Sequence, residues 1–250
     1  MKHWRRYMWL TLSVVFWLAV WHAASVWVGH ELLLVSPVKT IVTLFEMMHT
    51  RDFYIAVAGS LFRIAIGFSA ALIAGILLAA AAKAVSPVRM LLMPVISVAK
   101  ATPVASFVIL ALIWISSTNL SVLMSFLIVL PVVYSNFLDG LDRADIKLIE
   151  MARVFRMPAF SRIRAIYWPA AFPYLLTAMR LSMGMCWKAG IAAEVIAQPV
   201  DSIGSALYTA KVFFSTPEMF AWTLAIIIIS VAIEKLMMMV VKLAGRRLYG

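Results

Sequence analysis

The chain has almost no cysteine and little charge for its length. Its 250 residues include one cysteine, Cys186, so an intramolecular disulfide is excluded and a cysteine-based metal cluster is not expected. Only 13% of the residues are charged, whereas a soluble domain carries about 25%. This composition argues against an ordinary soluble protein.

Motifs of catalysis and nucleotide binding are also absent. All four histidines lie in the first fifth of the chain, without metal-binding spacing or a neighbouring carboxylate cluster. No Gly-x-x-x-x-Gly-Lys loop and no Gly-x-Ser-x-Gly elbow occurs. We therefore expect no catalytic residue, no metal and no cofactor in this chain. If ATP powers its function, another subunit must bind the ATP.

Apolar residues make up 64% of the sequence and fall into long runs. A helical membrane crossing needs about 20 apolar residues, so the length accommodates about six crossings and their loops. We predict an all-α integral membrane protein in which residues 1–250 form one transmembrane domain. The predicted spans lie near residues 7–29, 55–82, 90–115, 120–138, 173–197 and 219–241.

Basic residues are distributed unequally between the two sets of loops. With a cytoplasmic N-terminus, most of them fall inside, which is the usual bias of membrane proteins. This predicts that both termini are cytoplasmic, and it explains the net charge of +11 without nucleic-acid binding. The outer segment 30–52 is predicted to form a short surface helix. The inner basic residues are Lys2, Arg5, Arg6, Lys83, Arg89, Arg143, Lys147, Arg153, Arg156, Arg162, Arg164, Lys242, Arg246 and Arg247, and the outer ones are Lys39, Arg51 and Lys211.

The longest predicted cytoplasmic segment, 139–172, contains two short helical patterns. Apolar residues recur at i, i+3, i+4 and i+7 in the first pattern, which predicts an amphipathic helix. Pro158 is expected to break this helix and open a second one that Pro169 ends. Such a pair either docks into a groove of a soluble partner or is a basic loop held to anionic lipid, and the residues leave both open. The apolar positions are Leu148, Met151, Ala152 and Phe155.

This segment resembles a known family. Glu150-Met151-Ala152 and Ile166-Tyr167-Trp168-Pro169 are similar to the E-A-A…G…I-x-L-P loop of binding-protein-dependent ABC importer permeases. Further stretches resemble the branch that includes nitrate, sulfonate, taurine and bicarbonate permeases. These stretches are Ser60–Arg63, Gly67–Ala79, Lys100–Ala105, Met179–Leu181 and Trp187–Glu194.

The resemblance implies a type I ABC importer permease fold in the bacterial cytoplasmic (inner) membrane. It also implies that two copies form the pore, that a partner ATPase binds ATP and Mg, and that an external solute-binding protein delivers a small polar or anionic solute. The short helices of the loop would couple the permease to the ATPase. The coupling residues carried over from the family are Glu150, Met151, Ala152, Arg153, Arg156, Pro158, Ile166 and Pro169.

Three positions depart from the family pattern in the loop. Arg156 replaces the loop glycine, Met151 replaces the first alanine, and Trp168 replaces the leucine before the final proline. The turn is therefore expected to be built differently, with Pro158 supplying the bend.

Charged residues inside predicted spans need a partner or a use, because a charge at mid-bilayer costs about 2.5 kcal/mol or more. Arg63 is expected to form a structural pair with Glu194, and Arg180 to lie near a membrane end. A path role for Lys100 is as compatible with its position as pairing within the bundle. The hypothetical translocation path comprises Lys100, Pro103, Trp187 and Lys188.

Two other classes of function stay open beside the permease. A membrane-embedded enzyme acting on a lipid-linked substrate would need carboxylate, His or Ser residues clustered at one depth, and the spans offer only scattered charges. A stand-alone carrier or channel is disfavoured because neither an inverted repeat nor an acidic midplane pair is visible.

Overall fold

The structure, a computed structural model, describes residues 2–249, with side chains described for residues 8–9, 11–239, 241 and 243. Met1 and Gly250, which the single-domain prediction includes, lie outside the described residues. The charge bias also counts terminal residues outside the described side chains: Lys2, Arg5, Arg6, Lys242, Arg246 and Arg247.

Within residues 2–249 every regular element is helical, as predicted. A π-helical turn, Ile163–Tyr167, connects α8 to α9 without a break. The helices are α1 (Lys2–Val28), α2 (Pro37–Met48), α3 (Arg51–Ala84), α4 (Ser86–Ala101), α5 (Val104–Ala111), α6 (Ser117–Asp142), α7 (Ile146–Val154), α8 (Ala159–Arg162), α9 (Trp168–Ala197), α10 (Ile203–Val212) and α11 (Thr216–Tyr249).

Among the described residues, four helices are long and apolar enough to cross a membrane: α1, α3, α6 and α11. The α4–α5 pair provides a fifth crossing if the two helices count as one broken span. The remaining predicted span, 173–197, corresponds to α9, which has 30 residues but is not among these candidates. The six-span count therefore stays a prediction.

The third predicted span is broken rather than continuous. The helices α4 and α5 meet at an angle of 103°. Thr102 and Pro103 are both extended there, with ψ angles of 121° and 124°. The break follows from Pro103, which lacks an N–H and disfavours helical geometry in the residue before it.

Helix α6 lies at the centre of the bundle between α3 and α9. The face of α3 that carries small residues at every fourth position packs against it, with Ala71 and Ala79 fully buried. A Cβ atom at Gly67 would lie 2.4 Å from the Val122 carbonyl oxygen of α6. Small residues at this spacing therefore allow α3 and α6 to pack closely.

The prediction that Pro169 ends the second short helix of the loop is wrong. The π-helical turn continues directly into α9, and Pro169 occupies the first turn of that helix. A proline ring clashes with the carbonyl four residues earlier in an α-helix. The wider π-helical turn before Pro169 relieves this conflict, so the chain stays helical.

Candidate functional site

The turn after α7 is made by Arg156. This residue has a φ of 50°, the left-handed conformation that glycine adopts most easily. Its N–H bonds to the Arg153 carbonyl, and the Met157 N–H bonds to the Ala152 carbonyl at 2.9 Å, which is a Schellman motif. The expectation that Pro158 supplies the bend is therefore wrong. Pro158 instead precedes α8 as its N-cap residue.

Only one position of the apolar stripe predicted for α7 is buried. Ala152 is 1% exposed and packs with Ile166, and Ile149 lies against this cluster. Met151 is 46% exposed and Phe155 is 74% exposed. The other three positions, Leu148, Met151 and Phe155, face away from the bundle, whereas Ala152 packs against the neighbouring segment.

This outward face forms a compact surface of mixed character, which we call the coupling surface. The charged side chains of Glu150 and Arg153 are exposed beside apolar groups. An apolar patch bordered by charges is typical of a protein–protein contact. Of the remaining residues carried over, Pro169 is exposed and Ile166 is buried. The coupling surface comprises Glu150, Met151, Arg153, Val154 and Phe155.

A network of three charged residues links the helix ends of the bundle that lie close to α7. Asp142, at the end of α6, accepts from Lys83 Nζ at 2.8 Å and lies 3.0 Å from Arg89 Nη1. The network joins α3, α4 and α6 just before α7 begins. In the sequence, Lys83 and Arg89 contributed only to the charge bias that predicts the membrane orientation, and Asp142 was not identified as a functional residue. An acidic residue at the end of a span, close to basic loop ends, is the signal that could have found it.

A second polar network lies near the C-terminal end of α9. Arg63 Nε donates to Glu194 Oε1 at 3.1 Å, so the predicted pair is present in the structure. Ser60 Oγ donates to the other Glu194 oxygen and accepts from the Ile203 N–H at 2.9 Å. Arg63 also donates to the Asp201 carbonyl. The network fastens α10 to α3 and α9.

The proposed path residues do not form one cluster. Lys100 donates to Ser135 Oγ at 2.7 Å beside the α4–α5 break, two residues before Thr102. Trp187 is 1% exposed and donates its indole N–H to the Ile226 carbonyl at 3.2 Å. Trp187 therefore belongs to the packed core in this conformation. Lys188 is exposed and lines a cavity of about 330 Å³.

Arg180 lies on the same cavity as Lys188. It is exposed, whereas Ile191 and Glu194 are buried. Helix α9 therefore buries this face in its half near Glu194. The other half presents charge to the cavity between α9 and α11.

The sequence matches known transport proteins over most of its length. The putative aliphatic sulfonates transport permease of Bacillus subtilis is 27% identical over 98% of this chain and 88% of its own. The taurine transport system permease of Escherichia coli is 28% identical over 86% of this chain and 80% of its own. The bicarbonate transport system permease of Synechococcus elongatus is 27% identical over 60% of this chain and 55% of its own.

A chain from the crystal structure of an amino acid ABC transporter with histidines has the same fold. Its TM-score is 0.58, with 16% sequence identity, and the match covers 77% of this chain and 94% of that chain.

The family model for the binding-protein-dependent transport system inner membrane component matches residues 71–249. This matched range contains the coupling surface, the Asp142 ion network and the cavity beside Lys188, and of the second network it contains Glu194 but not Arg63. The chain therefore belongs to the family of binding-protein-dependent transport system inner membrane components.

Proposed function

We propose that this chain is the permease subunit of an ATP-binding-cassette importer and that its coupling surface binds a separate ATPase subunit. The observation that carries the proposal is the pair of exposed apolar side chains at the end of α7. Val154 and Phe155 are 78% and 74% exposed, beside Glu150 and Arg153. Side chains of this size gain most by inserting into a partner's groove.

The proposed topology has six spans with both termini in the cytoplasm of a bacterial cell. In this topology α7 and α8 face the ATPase, and α2 lies on the outer surface. Two copies of the chain form the pore, and an extracytoplasmic solute-binding protein delivers the solute. The family description supports the binding-protein partner, and the basic loop ends support the orientation.

The solute class follows from charge and from the relatives. Three relatives are named as permeases for aliphatic sulfonates, taurine and bicarbonate, all of which carry an anionic group. Lys100 and Lys188 place positive charge on exposed positions of predicted spans. We propose a small polar or anionic solute, with these two lysines on its path.

Coupling in this proposal is mechanical. ATP-driven closure of the ATPase pair moves α7, which is four residues from the Asp142 ion network. Through Lys83 and Arg89 this network transmits the motion to α3 and α4. The bend at Pro103 then allows α4 and α5 to move by different amounts.

Copurification tests the proposal directly. Tagged permease isolated from its native host should retain an ATP-binding-cassette ATPase, and Glu150→Lys should reduce this association because it reverses the charge on the coupling surface. Glu46→Lys, on the exposed face of α2, is the matched control and should have no effect. Full association and normal uptake in the Glu150→Lys variant would refute the coupling role.

A further inference from the structure

The cavity between α9 and α11 carries charges of both signs. Its charged residues are Arg180 and Lys188 on α9 and Glu234 on α11, and the rest of the lining is mainly apolar. Three methionines provide much of that lining, and their flexible side chains adapt to the shape of a guest. A cavity of about 330 Å³ accommodates a small organic molecule.

The Glu234 carboxylate lies against Gly184. A Cβ atom at this position would be 2.6 Å from Glu234 Oε1, so the carboxylate sits in the notch that glycine leaves on α9. Arg180 and Lys188 are each four residues from Gly184, or about 6 Å along the helix. The cavity therefore presents a cation, a carboxylate and a second cation along one face of α9.

These charges are not neutralised by the described side chains around them. Among the described side chains, none of the three residues forms an ion pair, although the chain pairs its other intramembrane carboxylate, Glu194, with Arg63. Unpaired charges within membrane-spanning helices are costly and mark sites of function. The free charges of the cavity therefore indicate a ligand that supplies the missing partners.

We propose that this cavity binds a short zwitterion during translocation, such as an aminosulfonate or an amino acid. The ammonium group of the ligand pairs with Glu234, and its acidic group pairs with Arg180 or Lys188. This inference rests on the proposed permease function and refines its solute class. Glu234 becomes the residue that distinguishes a zwitterion from a simple anion.

Two other ligand classes fit the cavity less well. A simple anion would satisfy a cation but would leave the Glu234 carboxylate unpaired and close to a negative charge. A lipid headgroup lies at the membrane surface, whereas Gly184 is about 16 Å from the start of the predicted span 173–197 and about 20 Å from its end. The central depth and the mixed charge both favour a soluble zwitterion.

Calorimetric titration of the full-length permease in lipid nanodiscs tests this proposal. The probes are taurine, a zwitterion, and isethionate, in which a hydroxyl group replaces the ammonium group. Taurine should bind about tenfold more tightly, which is the expected contribution of one hydrogen-bonded charge. Glu234→Gln should remove this preference, and Lys188→Gln should weaken the binding of taurine.

Lys235→Gln is the matched control, because Lys235 is exposed on the same helix and does not line the cavity. This variant should keep the taurine preference. Equal binding of the two probes, absence of binding, or a preference that survives Glu234→Gln would overturn the site. Copurification of the ATPase with the Glu234→Gln variant separates this failure from failure of the proposed function, because the coupling surface is intact in that variant.

Discussion

The Glu194 carboxylate on α9 is fully buried and receives the Arg63 Nε hydrogen of α3 at a distance of 3.1 Å. Ser60, one turn before Arg63, donates to the second carboxylate oxygen. A buried carboxylate satisfied on both oxygens is stable only while each donor is present. The pair therefore fixes the register of α3 against α9.

Breaking this pair from one side should destabilise the protein strongly. Arg63→Met leaves Glu194 buried without its counter-ion and should cost about 3–5 kcal/mol of unfolding free energy. Glu194→Gln alone should also destabilise, whereas the double variant should lose less than the sum of the two single losses. Thermal unfolding of the purified full-length protein measures all three. Additive losses would show that the two side chains are not energetically coupled.

The left-handed turn at Arg156 should tolerate glycine. A non-glycine residue in this conformation costs about 1–2 kcal/mol. Glycine removes this cost, but part of the gain is offset because glycine raises the backbone entropy of the unfolded chain. Arg156→Gly should therefore raise the unfolding free energy by about 0.5–1 kcal/mol. Arg153→Gly, inside α7, is the control and should lower stability by about 1 kcal/mol. Equal effects of the two substitutions in a melting experiment would argue against the Schellman turn.

The long helices could be predicted from the sequence because burial in a membrane leaves continuous apolar runs. Helix α10 was missed, since its 10 residues are too short to cross a membrane and lie outside any such run. The π-helical turn was missed for another reason. A proline in a sequence usually indicates that a helix ends. Only the structure shows that the π-helical turn runs directly into α9 and that Pro169 lies in the first turn of α9.

The candidate site could be predicted only in part. The apolar pattern located α7 and the resemblance implied its role, but the outward direction of Phe155 depends on how Ala152 packs against Ile166. Asp142 and Glu234 were missed because their importance depends on neighbours from distant parts of the chain. Arg63 and Glu194 were paired correctly because their predicted depths in neighbouring spans matched.

The Gly67 contact should not tolerate a larger side chain. A Cβ atom there would lie 2.4 Å from the Val122 carbonyl oxygen and 2.7 Å from Ser125 Cβ. Gly67→Ala should cost about 1–3 kcal/mol, because α3 and α6 must move apart. Ala70→Val, on an exposed position of the same helix, should change stability little. Equal melting temperatures for the two variants would contradict the close approach of these helices.

The ion network at Asp142 should contribute more to coupling than to stability. Lys83, Arg89 and Asp142 are all partly exposed, so the screened pairs should contribute only about 0–1 kcal/mol to stability. Asp142→Asn should therefore leave the melting temperature nearly unchanged. It should nevertheless lower the amount of solute imported per ATP hydrolysed, because α6 and α7 lose their charged link to α3 and α4.

Asp139→Asn is the matched control for this experiment. Asp139 is exposed one turn earlier on α6, and its side chain forms no ion pair with the described residues. Reconstituted complexes of permease and ATPase should show normal coupling with this variant and excess ATP hydrolysis with Asp142→Asn. Because high salt screens exposed charges, raising the ionic strength should bring the unsubstituted complex closer to Asp142→Asn. If both variants couple normally, the network serves only to hold the helix ends together.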